Sequence, residues 1–69
     1  MITVWVLMMF YLMNGVVVET YRYTGPGTPF KNRAKCEEVL QDATIDIARD
    51  KELVYGKDFT MKCEERTRV

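Results

Sequence analysis

The 69-residue chain contains no histidine and no serine. Histidine is the side chain that titrates nearest neutral pH, so general acid–base chemistry loses its commonest agent. A Ser–His or Cys–His nucleophile pair cannot be assembled within one chain. Only two cysteines are present, Cys36 and Cys63, far apart in sequence and without histidine. That excludes the short ligand spacings of zinc sites, so neither a metal nor any other cofactor is expected. Gly25-Pro26-Gly27 lacks a following Gly-Lys-Ser/Thr, and Pro26 and Pro29 remove amide donors, so no phosphate-cradling loop forms there. The net charge is zero, which gives no overall attraction to nucleic acid or anionic membrane. These absences lead us to expect a non-catalytic protein, with no small-molecule substrate and no direct nucleic-acid contact.

What is present is a single small globular domain, 1–69, with 48% hydrophobic and 29% charged residues. A core of this size supplies only a few kcal/mol, so a staple or a partner is expected to assist it.

Residues 1–18 are the most apolar stretch. No lysine or arginine precedes Arg22, and no small-x-small cleavage site follows, so a signal peptide is not indicated. A membrane helix anchored by 1–18 would be short and interrupted by Asn14-Gly15. We take the third reading, a β-hairpin, because Asn-Gly between two β-rich runs is a strong hairpin signal. A two-residue turn pairs Met13 with Val16, and an unbroken ladder then sets Tyr11 opposite Val18, Met9 opposite Thr20 and Leu7 opposite Arg22. The strands are expected over about 3–13 and 16–24.

The loop 24–29 ends the hairpin, and Thr28-Pro29 reads as an N-cap followed by the first helical residue. A helix is expected from about Phe30 to Leu53. Cys36, Val39, Leu40, Ala43 and Ile47 recur at helical spacing and share one face. Phe59, Met61 and Cys63 then alternate with Thr60, Lys62 and Glu64, the pattern of a half-buried strand. The predicted fold is α+β with order β-β-α-β. Its three-stranded antiparallel sheet has strand order 2-1-3, with the helix on one face.

Strand one is apolar on both faces, which places it at the centre. The tyrosine side of strand two is expected to face the helix, together with Val4, Val6, Met8, Phe10 and Leu12. Trp5, Leu7, Met9 and Tyr11 are then left on the uncovered face as a partner or homodimer patch. Glu38, Asp42, Asp46 and Asp50 sit four apart on the helix, where they repel one another. They form either a stripe for a basic protein surface, such as one that normally holds nucleic acid, or a solvated face. Cys36 and Cys63 both face the core and are expected to be neighbours: a possible disulfide, or two reduced thiols in a cytoplasmic protein.

The opening Val-Trp-Val-Leu run, the hairpin, a cysteine early in the helix and another in the last strand resemble small proteins of phages and prophages. Here Thr60-Met61-Lys62-Cys63 replaces their usual Tyr-x-Cys ending, and the 24–29 loop is longer. The resemblance implies a protein that binds and blocks a host factor, such as a defence complex of the CRISPR type, in the host cytoplasm. It transfers no catalytic residue. The alternatives are a homodimeric accessory protein and a small membrane-associated protein.

Overall fold

The computed structural model describes residues 2–68. Its elements are β1 (Ile2–Met13), β2 (Val16–Arg22), α1 (Arg33–Asp50) and β3 (Phe59–Arg68). The sheet is antiparallel throughout with order β2-β1-β3. The α+β reading and the strand order are therefore as expected from the sequence.

Asn14 and Gly15 take φ of 53° and 79°, the left-handed pair that a two-residue hairpin needs, and Met13 pairs with Val16. The membrane-helix reading of 1–18 is overturned, because residues 2–18 form a strand, a turn and the start of a second strand. Among the described residues, no helix is long and apolar enough to cross a membrane.

The predicted hairpin register holds only beside the turn. Between Tyr11 and Leu12 the ladder shifts, so that Leu12 pairs with Val17 but Tyr11 pairs with Glu19. Val18 is the extra residue of a β-bulge. Beyond it Phe10 pairs with Thr20, Met9 with Tyr21 and Met8 with Arg22.

The helix starts later than the Thr28-Pro29 reading placed it. Phe30 is held in extended backbone by reciprocal hydrogen bonds with Trp5, of 2.8 and 2.9 Å, so the chain cannot turn helical there. Thr28 donates its hydroxyl to the Gly25 carbonyl instead. Asn32 is the N-cap, its side-chain oxygen accepting the Lys35 N–H at 2.8 Å. At the other end the helix stops at Asp50, not Leu53. The Lys51 N–H closes on the Ile47 carbonyl, and Glu52 turns left-handed at φ 55°.

One core lies between α1 and the sheet. Leu7, Phe30, Cys36, Phe59 and Met61 are buried in it, with Trp5, Met9, Tyr11, Tyr23, Val39, Leu40, Ala43, Ile47 and Cys63 packed around. The predicted helix face and the predicted alternation of β3 are both realised. Cys36 and Cys63 are joined by a disulfide, with their Cα atoms 6.1 Å apart. The expectation of two neighbouring cysteines is met, and the reading of two reduced thiols is replaced by a bridge.

Candidate functional site

The sheet face assigned to the helix must be exchanged for the other. Leu7 is 0% exposed and belongs to the cluster that contains Cys36. Trp5, Met9 and Tyr11 pack against the same cluster. The patch Trp5, Leu7, Met9, Tyr11 is therefore not an outer surface. The register explains why: Leu7 pairs with Cys63, Met9 with Met61 and Tyr11 with Phe59. Directly opposed residues point to one side of a sheet, so these six go to the helix together. Arg33 lies over the Trp5 ring, 5.8 Å from its centre, and Lys51 donates to the Tyr11 hydroxyl at 3.2 Å.

The uncovered face thus carries Val4, Val6, Met8, Phe10 and Leu12. The ladders name their neighbours. Val4 lies beside Arg66, Val6 beside Glu64, Met8 between Arg22 and Lys62, and Phe10 between Thr20 and Thr60, while Leu12 meets Val17. Long polar side chains flank the strip near Val6 and Met8, and their aliphatic stems cover apolar area. Val6 is accordingly 3% exposed although no helix covers it. Phe10 has only threonines beside it, and Val17, next along the strip, is 50% exposed. Phe10 and Leu12 are half-buried like Met8, and the exposed end of the strip is Val17, at the hairpin end. An aromatic anchor within an apolar patch, rimmed by polar groups, is the usual anatomy of a protein-binding surface.

The rim is mostly basic. Arg22, Lys62 and Arg66 stand on this face with one acid, Glu64, and Arg66 pairs with that acid. The zero net charge hides this segregation, because five of the ten acids lie on the helix, on the other side of the sheet.

The acidic row is exposed on α1, as its spacing requires. Lys35 stands 3.8 Å from Glu38, and Arg49 stands 3.1 Å from Asp46 and 3.7 Å from Asp50. Asp42 has no ion-pair partner among the described residues. It joins Asp46, Val39, Ala43, Ile47 and Tyr23 around a shallow groove beside the helix. Three of the four members of the row thus have a cation beside them on their own helix, two of them sharing Arg49.

The helix approaches β1 and β3 but not β2. All seven residues of β2 are exposed, including Tyr21 and Glu19 on the helix side of the sheet. Tyr21 leans its ring on Tyr11 and donates its hydroxyl to the Glu19 carboxylate. That hydrogen bond, with the carboxylate's charge, holds the Tyr21 phenol above its ordinary value.

No protein-family model matches the chain, nor does any curated protein or solved structure.

Proposed function

We propose that this chain is a non-catalytic protein-binding domain that works by occupying a partner's surface with its uncovered sheet face. The supporting observation is the strip Met8–Phe10–Leu12–Val17, which no element of the fold covers. The basic rim of Arg22 and Lys62 favours a partner that offers an apolar ridge flanked by acids. Such rim charges act mainly on the rate of encounter, while the apolar centre sets the lifetime of the complex. Blocking a host factor or defence complex, in the sense of the phage-protein resemblance, is the finer form of this proposal. Neither it nor the host cytoplasm as its place of action rests on the geometry.

Capture from a bacterial host lysate tests the reading when three forms of the chain are compared. Phe10→Asp should release the proteins held by the unchanged chain, at the same circular-dichroism spectrum. Loss of a central aromatic anchor is worth at least about 2 kcal/mol, or roughly thirty-fold in affinity. Asp42→Asn with Asp46→Asn should leave capture and its salt dependence unchanged. If the Asp variant still holds the same proteins, the sheet face is not the site. If only the Asn variant loses them, the partner is a basic surface and the acidic row is the contact. For the finer reading, addition of the purified chain should lower target cleavage by an isolated defence complex, and Phe10→Asp should not.

A further inference from the structure

A different surface, the free edge of β2, carries a second conclusion. In an antiparallel ladder the N–H and C=O of one residue point the same way, and those of the next point oppositely. The Tyr23 N–H donates to the Leu7 carbonyl at 2.9 Å. By alternation Tyr21 and Glu19 also turn their backbone groups into β1. Thr20 and Arg22 turn theirs outward, away from the sheet. No strand or loop among the described residues pairs with them there.

Edges of this kind are normally guarded, and the two edges of this sheet differ. β3 bears Lys62, Glu64, Glu65 and Arg66 along its length. β2 reads Val-Val-Val-Glu-Thr-Tyr-Arg, with one acid, one base, no proline and no lysine. Its protection is slighter, the two charges Glu19 and Arg22 and the bulge at Val18, which leaves the Thr20–Arg22 stretch regular.

We propose that a second copy of this chain pairs with that stretch, antiparallel, about a two-fold axis through Tyr21. In this register Thr20 of each copy faces Arg22 of the other. Every outward N–H and C=O of the regular stretch then meets its complement. Tyr21 lies opposite its own counterpart, and Glu19 lies opposite Tyr23, so no like charges are directly opposed. The neighbouring registers fail on stated grounds. Centring on Glu19 sets two carboxylates against each other. Centring on Thr20 sends Arg22 to the bulged Val18. The two-fold axis stands normal to the sheet, so both helices lie on one side and both Phe10 strips join into one face on the other.

The paired stretch is only the three regular residues Thr20–Arg22 of each copy, short beside a standard stable interface of roughly 1,200 Å². The dimer is therefore a reversible one, to be measured at high concentration. Sedimentation of the intact, oxidised chain up to about 1 mM, the weak end of specific association, should show a monomer–dimer equilibrium. Thr20→Pro removes only an outward N–H, so it should abolish the dimer while leaving the circular-dichroism spectrum unchanged. Tyr21→Cys sits in a non-hydrogen-bonded pair, whose Cα spacing of about 4.5 Å suits a bridge, and should cross-link two copies under mild oxidation. Lys62→Cys, on the far strand, should not. A chain that stays monomeric at about 1 mM overturns the proposal. So does a dimer that survives Thr20→Pro, or cross-linking at position 62 rather than 21. A dimer abolished by Phe10→Asp but not by Thr20→Pro would mean that the outer sheet faces pair instead.

Discussion

Reduction of the Cys36–Cys63 bridge should lower the thermal unfolding midpoint by roughly 15–25 °C. The bridge closes a loop with a sequence separation of 27 residues. On the chain-entropy account a loop of that length constrains the unfolded state by about 3.5 kcal/mol. A 69-residue domain has a total stability of about 3–10 kcal/mol, so the staple is a large share of the whole. It also joins the helix directly to the strand that pairs with Leu7, across the centre of the core. Calorimetry of the chain with and without reductant measures the difference, and Cys36→Ala with Cys63→Ala should reproduce it. Equal midpoints for the oxidised and reduced forms would mean that the bridge constrains nothing beyond the packing of the two sulfurs. The result also bears on where the protein works. A bridge of this kind persists in oxidising compartments, whereas the cytoplasm keeps thiols reduced. A blocker of a cytoplasmic host factor would have to fold on its core alone.

Two neighbouring residues of β1 should differ sharply when cut to alanine. Leu7→Ala removes a side chain that is 0% exposed beneath the helix, and the cost of such a cavity is about 2–5 kcal/mol. Met8→Ala removes a half-exposed side chain from the other face, and should cost under about 2 kcal/mol. Urea unfolding of both variants decides the matter, with the slope unchanged in each if only the native state is affected. A larger loss at Met8 than at Leu7 would reverse the assignment of the two faces.

That assignment is also where reading the sequence failed, and the reason is local. The turn, the helix face and the alternation of β3 are each carried by adjacent residues: Asn14-Gly15, then Cys36 to Ile47, then Phe59 to Cys63. The strand order follows in turn from β1 being apolar on both faces. The face of β1 is different, because Trp5, Leu7, Met9 and Tyr11 are as apolar as Val4, Val6, Met8, Phe10 and Leu12. The choice had to come from β2. The tyrosine side of β2 does lie on the helix side, with Tyr23 packed on the core and Tyr21 on Tyr11. An unbroken ladder from Met13–Val16, however, sets those tyrosines against the even residues of β1. One extra residue at Val18 sets them against the odd ones. A bulge leaves no mark in a run of three valines. The pairing of Cys63 with Leu7 would have given the right answer, since Cys63 was already placed on the helix side. Glu19 stays exposed although its side of the sheet is the helix side, because the helix does not extend over β2. The capping error at Thr28 came from reading Phe30 as helical, when its partner Trp5 is distant in sequence.

The same uneven coverage divides the molecule into parts that hold together unequally. β1 and β3 are bound to each other along their lengths, overlaid by α1 and stitched to it by sulfur. β2 is fastened on one side only, and no helix rests on it. It can therefore lift away in a local opening that leaves the core intact. Amide exchange should show this as two populations. The N–H groups of Tyr21 and Glu19 should exchange through that partial opening, while those at the β1–β3 seam around Leu7 and Cys63 should wait for global unfolding. The second arm of the hairpin that the turn residues encode so plainly is then the least durable part of the fold.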